Sequence, residues 1–322
     1  MSLLASIDEV FQSSQMDHAD HPTLPGRFSF TNRIIECLLI FSLCHFLSNE
    51  GAAMTIPESK IAAQLYIFGG DAVKAGEPLN GYLKVAHDAG YQLVQGWLSY
   101  FESEELAVKL DGYLAAHQLS MPCAYAGGGM HTREAGDQAI HTILSQARIA
   151  SRHGLKIIVH NPDPIGRKKT DEELAIQAQN LNRLGTELSK LGLQLAVHQH
   201  DVEMQDGARE WYHILEHTDP AKVFFCLDTH WVLRGKQDPC RLLESAGKRV
   251  VDLHLRNSKD GIWMEDFGLG DLDYQKIQAI LERIDYQGYY TVELAYDPQT
   301  QVTRSLEENL RRSLGFVLNT FR

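Results

Sequence analysis

Basic residues are in short supply: 30 Lys and Arg stand against 42 Asp and Glu, a formal net charge of −12. A phosphate-backbone binder needs clustered cations, so nucleic acid is excluded as a partner and a small polar substrate fits better. The five cysteines, Cys37, Cys44, Cys123, Cys226 and Cys240, form no CxxC pair. Zinc-ribbon and dithiol redox sites are therefore absent from the pattern, and reduced thiols in a cytoplasmic protein are expected. No apolar run reaches the ~20 residues needed to cross a bilayer. The longest candidate, "IIECLLIFSLCHFL" (34–47), is broken by Glu36 and His45. No GxGxxG follows the first strand candidate, and "AGGGM" (126–130), a flexible glycine turn, lacks the Lys-Ser/Thr of a nucleotide loop.

The first fifty residues differ from the rest. A polar, Ser/His/Pro-bearing leader precedes the apolar run, and Arg33 with "GAA" (51–53) imitates a signal peptide, although the long leader before it argues otherwise. "NEGAAM" (49–54) can be encoded with a purine-rich ribosome-binding sequence just ahead of the Met54 codon. Residues 1–53 are accordingly expected to be an irregular N-terminal extension, outside the natural translation start at Met54, with a single domain over 54–322.

From residue 60 short apolar runs alternate with longer amphipathic segments. The strand candidates are 61–68, 91–98, 119–125, 155–160, 193–198, 223–228, 250–255 and 289–294. Helical patterns fall between them, notably 135–154, 170–192 and 273–284, and Thr170 with Glu173 makes a capping box. Strand and helix in alternation imply parallel strands with right-handed crossovers, and eight repeats imply closure into a (β/α)8 TIM barrel. Functional groups of such barrels sit where the strands end. Those ends carry His160; His198 and His200; Asp228 and His230; His254 and Arg256; and Glu293. A lone buried histidine is usually a hydrogen-bonded core residue, but four consecutive strands ending in such groups point to one shared metal or catalytic site.

The segments "IIVHNPDP" (157–164), "AVHQHDVEM" (196–204), "FCLDTHWVLRGKQDP" (225–239), "VDLHLRNSKDG" (251–261), "GLGDLDY" (268–274) and "YYTVELAYD" (289–297) resemble the xylose isomerase-like barrel superfamily of sugar isomerases, epimerases and inosose dehydratases. The resemblance runs from about residue 60 to the C-terminus and implies one divalent ion held by Glu, Asp, His and Glu of the fifth to eighth strands. Those positions fall here on His198, Asp228, His254 and Glu293, with "HQH" replacing the usual first glutamate. A branch of the superfamily has His-Asn-His there. Mixed imidazole and carboxylate donors suit Mn, Fe, Co, Ni or Zn, and the two remaining carboxylates neutralise a dication.

The replacement bears on mechanism. Ketose epimerases of the superfamily use two glutamates on opposite faces of the substrate, and only Glu293 remains of that pair. A two-base reaction needs His160, His200, Lys259 or Glu265 in addition; isomerisation on one face, or elimination of water beside a ketone, needs one base. A second departure is Trp231, which stands where relatives have the histidine of Asp-x-x-His and is expected to stack on a sugar face or close the pocket. Arg256 and Lys259 are expected to contact substrate, with His160 and His200 assisting Glu293 in catalysis. Asp201 and Glu203 fit as outer partners, and "IGRKK" (165–169) is either a phosphate site or a solvated loop.

The resulting expectation is a metal-dependent sugar or sugar-phosphate isomerase or epimerase, with a keto-sugar or inosose dehydratase as the alternative. A non-catalytic sugar-binding barrel is the reading from another class. The implied partner is a small-molecule carbohydrate, and a homo-oligomer would be in keeping with the superfamily.

Overall fold

The computed structural model describes residues 56–74 and 76–321. The proposed extension, the apolar run 34–47 and the start at Met54 lie outside the described residues. Strands Ile61–Gln64 (β1), Leu93–Trp97 (β2), Ser120–Gly128 (β3), Ile157–Pro162 (β4), Gln194–Val197 (β5), Val223–Asp228 (β6), Val250–Leu255 (β7) and Tyr289–Val292 (β8) close into one barrel. Each pairs in parallel with its sequence neighbours, and β8 pairs with β1. The crossovers are helices Glu77–Asp88 (α1), Glu104–Ala116 (α2), Arg133–Ala150 (α3), Asp171–Lys190 (α4), Gln205–His217 (α5), Thr229–Arg234 (α6), Pro239–Ala246 (α7) and Tyr274–Arg283 (α8), and Leu306–Thr320 (α9) follows the last strand. The expected TIM barrel is therefore present, and the Thr170/Glu173 capping box opens α4 with both reciprocal bonds made. No helix among the described residues is long and apolar enough to cross a membrane.

Three local readings need correction. The first strand stops at Gln64, because its side chain accepts the Tyr66 N–H and a 3-10 turn, Leu65–Phe68, ends at Gly69 with φ 81°. Ala126, Gly127 and Gly128 are not a free glycine turn: they extend β3 and pair with His160, Asn161 and Pro162. After β7 the chain makes an unforeseen hairpin, Ser258–Lys259 against Ile262–Trp263, turning at Asp260 (φ 53°) and Gly261 (φ 80°). Two consecutive left-handed residues are what a type I′ turn demands, and Asp-Gly supplies them.

Alternation along the strands divides the side chains into two sets. Cys123, Ile157, Val159, Ala196 and Cys226 fill the barrel interior. Ala124, Ile158, Leu195, Val197, Phe225 and Leu227 belong instead to the larger core beneath the helices. Two residues beyond Ala196 and Cys226, on the same face, come His198 and Asp228.

The segment after β5 is tied down locally. Glu203 is 3% exposed, and its Oε2 accepts the His200 N–H at 2.7 Å. The chain then passes through left-handed conformations at Asp206, Gly207 and Ala208 before α5 proceeds. Burial pushes the Glu203 carboxyl up to about 7 from an ordinary 4.5. The folded chain keeps this proton to about 7, whereas the unfolded chain loses it near 4.5. The associated stability is complete below the unfolded value and is lost as pH rises towards the folded one. Glu203→Gln retains the acceptor for His200 and removes the titration. The variant should match wild type in thermal stability at pH 5 and exceed it at pH 8; parallel melting curves at both values would contradict the burial of this carboxyl.

Candidate metal centre and cavity

Side chains from four adjacent strand ends converge at the C-terminal mouth of the barrel. His198, Asp228, His254 and Glu293 place ligand-competent atoms within 4.8 Å of one another, and all four residues are buried. His198 Nε2 lies 3.8 Å from Asp228 Oδ2, and His254 Nδ1 lies 2.7 Å from Glu293 Oε2. His198 continues the ladder past β5, its N–H donating to His160 O at 2.9 Å, and the Glu293 N–H does the same past β8 to Leu255 O at 3.0 Å. Asp228 is the N-cap of α6: its Oδ1 accepts from His230 and Trp231 N–H, leaving Oδ2 for the cavity side.

The donor set is under-satisfied in a way that suits an ion. His198 Nδ1 and Nε2, His254 Nδ1 and Glu293 Oε2 are buried without a hydrogen-bond partner. An orphaned buried polar atom costs ~1–3 kcal/mol, and four in one cluster need an explanation. The close His254–Glu293 pair is 2.7 Å apart but lacks hydrogen-bond geometry, so proximity alone does not satisfy it. Two nitrogens and two carboxylates fit Mn, Fe, Co, Ni or Zn. A second buried group, Cys226, Asp252 and His254, does not fit an ion as well. There the thiol donates to Asp252 at 3.6 Å, and His254 Nε2 is engaged at 2.7 Å by Gln95.

Electrostatics follow from burial and close partners. Burial alone would raise the Asp228 and Glu293 carboxyls, but the Arg256 guanidinium, with the adjacent histidines, holds both below the ordinary range. Arg256 Nη2 donates to Asp228 Oδ2 at 2.9 Å, while Nη1 lies 3.9 Å from Glu293 Oε1. Burial lowers His198, although Asp228 opposes it. For His254 burial also acts downward, but Glu293 and Asp252 outweigh it and the ring is raised.

The centre opens into a cavity of about 480 Å³. Tyr66, Trp97, Tyr125, Trp231, Trp263 and Tyr296 supply aromatic walls, with His198, His200, Arg256 and Glu293 among the polar lining. Arg256 lies against the rings of Trp231 and Trp263, its guanidinium carbon 5.0 and 4.7 Å from their centroids. His200 is half-buried and packs edge-on to His198 and Trp231. Burial and the neighbouring His198 lower its pKa to about 4, so the ring is a neutral imidazole at ordinary pH.

Not every anticipated residue reaches this cavity. His160 is turned away: it alternates with the interior-facing Val159, and its ring lies near the position a Cβ on Gly128 would take, 3.7 Å distant, beside Ala139 of α3. It therefore packs between barrel wall and helix layer, which corrects the expectation that it assists catalysis. Lys259 is exposed on the hairpin and is not among the cavity-lining residues. Glu265 is held by Thr303, Arg304 and Asn309, and although its burial acts upward these donors bring it down to about 2, leaving an anchor rather than a base. The basic cluster is internally neutralised: Arg167 pairs with Glu173, Lys168 with Asp206 and Lys169 with Glu210. His230 is consumed by Ser258 Oγ at 2.9 Å and by the Trp263 indole N–H at 3.0 Å.

Sequence reasoning missed Gln95, Asp252 and most of the aromatic wall. Asp252-x-His254-x-Arg256 carried a usable signal, since alternate strand positions share a face. Gln95, a polar residue inside the apolar run of β2, gave a weaker one.

Comparison with known proteins agrees with the architecture. Residues 83–319 match the family model described as xylose isomerase-like TIM barrel. An inosose dehydratase of Clostridium tetani is 24% identical over 180 residues, 49% of this chain and 60% of that protein. The chain thus spans little more than half the length of this curated relative. A sugar phosphate isomerase/epimerase from Parabacteroides distasonis superposes with a TM-score of 0.66 at 19% identity, covering 84% of this chain and 97% of that one. D-psicose 3-epimerase from Clostridium cellulolyticum, solved with D-tagatose, gives a TM-score of 0.66 at 12% identity over 81% and 99% of the two chains. These structural likenesses establish the fold. With the closed eight-stranded barrel and a family match over most of its length, this chain belongs to the xylose isomerase-like TIM barrel family.

Proposed function

We propose that this protein is a metal-dependent sugar isomerase or epimerase that abstracts a proton next to a carbonyl, with His198, Asp228, His254 and Glu293 holding the ion and Glu293 serving as base. The observation that carries the reading is the set of four buried ligand residues with orphaned donor atoms at the floor of an aromatic-walled cavity. The ion, when bound, would supply Lewis-acid polarisation of the substrate carbonyl. Glu293 suits the base because its carboxyl is kept ionised by Arg256 and His254 and it lines the cavity. Arg256, lodged between Asp228 and two indoles, offers a fixed cation to the negative charge that develops on proton removal. Trp231 and Trp263 present ring faces and edges to a sugar, excluding water from the reacting carbon. His200, neutral and cavity-facing, is the group available to exchange a proton with a substrate hydroxyl.

One observation favours a second reading. With His198 in place of a glutamate, Glu293 is the only carboxylate among the described cavity-lining residues that can act as a base. Chemistry on a single face, either isomerisation or dehydration of a keto-sugar or inosose, then becomes more economical than epimerisation with two opposed carboxylates. The similarity to inosose dehydratases points the same way.

Two outcomes are expected. Glu293→Gln should reduce turnover of the accepted ketose or keto-sugar by at least ~10²-fold with an unchanged circular dichroism spectrum, in line with the loss of a general base; a variant retaining full activity would refute the assignment. Reaction in D₂O should separate the two readings. An isomerase or epimerase incorporates deuterium at the abstracted carbon of a product isomeric with substrate, whereas a dehydratase yields a product one water lighter, read in the same mass spectrum.

A further inference from the structure

Beneath the metal-facing residues lies a buried polar layer that the proposed chemistry does not use, composed of Gln95 on β2, Asp252 on β7 and Thr291 on β8, all 0% exposed. Asp252 collects donors from every side. Leu253 N–H (2.9 Å) and the Thr291 hydroxyl (2.8 Å) reach Oδ1, and the Gln95 amide (2.7 Å) and Cys226 thiol (3.6 Å) reach Oδ2. The other end of the Gln95 amide, Oε1, lies 2.7 Å from His254 Nε2.

We propose that Asp252 and Gln95 form a positioning relay that fixes the proton of neutral His254 on Nε2 and so directs the Nδ1 lone pair at the metal position. The inference rests on the metal-centre reading above. Asp252 faces three other donors, the Leu253 N–H, the Thr291 hydroxyl and the Cys226 thiol, and an ionised carboxylate only accepts, so Gln95 must turn its NH₂ towards it; the opposite amide orientation would press a carbonyl oxygen against a carboxylate oxygen. That leaves Oε1 facing His254, and a carbonyl oxygen can only accept. Nε2 therefore carries the hydrogen, and Nδ1 carries the lone pair. Nδ1 is also the ring atom left without a hydrogen-bond partner, and its lone pair faces the equally unpartnered Glu293 Oε2 at 2.7 Å, an acceptor–acceptor contact that a cation between the two atoms would relieve.

The relay acts across the barrel rather than along its wall. In the strand order β8 and β1 separate β7 from β2, and Gln95 and His254 are 159 residues apart in sequence. His254 is thus oriented from the far side of the axis, by residues outside the cavity lining. Hydrogen bonds of this kind fix the tautomer and direction of a ligating histidine, and their loss typically costs about 10–100-fold in metal affinity.

The test uses the full chain labelled with ¹⁵N-histidine and freed of metal, at an alkaline pH where the ring is neutral. His254 is assigned by comparison with His254→Gln, and Zn²⁺, being diamagnetic, serves as the binding probe. Long-range ¹H–¹⁵N correlation should show the wild-type proton on Nε2. Gln95→Leu and Asp252→Asn should shift it towards Nδ1 and weaken Zn²⁺ binding about 10–100-fold. A wild-type proton on Nδ1 overturns the relay, and this result needs no variant to fold; so does a folded Gln95→Leu that binds Zn²⁺ as tightly as wild type. A wild type with the proton on Nε2 but no uptake of Zn²⁺ upholds the proton placement and overturns the metal-centre reading instead.

Discussion

Only every second residue of a barrel strand reaches the axis, and the site depends on this parity. Ala196 and Cys226 sit in the interior apolar layer, so His198 and Asp228, two residues further on, emerge above it. The same count brings Asp252, His254 and Arg256 inward on one strand and Thr291 and Glu293 on the next. A register slip of one residue would send each ligand into the helix layer and an aliphatic side chain into the mouth. His160 shows the result: one residue past Val159, it lies in the C-terminal half of β4 yet faces α3.

Burial then sets the chemistry. Four residues with nitrogen or carboxylate ligands lie within 4.8 Å at the floor of the cavity, and several of those atoms have no hydrogen bond. Desolvation of that kind is tolerable where an ion completes the coordination. Arg256 adds a fixed positive charge beside two carboxylates and is itself stabilised by the Trp231 and Trp263 rings. Below this layer Asp252 and Gln95 are fully satisfied, which makes them a rigid base for His254 rather than a second reactive group.

Much of this was legible in the sequence because it depends on local pattern. Apolar runs spaced by amphipathic segments marked all eight strands, and Thr170 with Glu173 marked the start of α4. The four proposed ligands stood at recognisable strand ends. What was not legible depends on partners distant in sequence. Whether Gly127 and Gly128 form a turn or a strand is decided by pairing with Asn161 and Pro162, and the role of Gln95 is decided by residues more than 150 positions away. His160 was a failure of another kind, since its side could have been counted from Val159. The Asp260-Gly261 turn was likewise written in the chain, and it carries Lys259 out to solvent instead of over the cavity.

The central claim is that His198, in place of a carboxylate, completes a metal centre with Asp228, His254 and Glu293. Elemental analysis of the full-length protein, as purified and after reconstitution with Mn²⁺ or Zn²⁺, tests it most directly when wild type is run beside His198→Ala. One transition-metal ion per chain in wild type, lost in the folded variant, is the predicted result. Absence of metal from wild type after reconstitution, or full retention in His198→Ala, would contradict it.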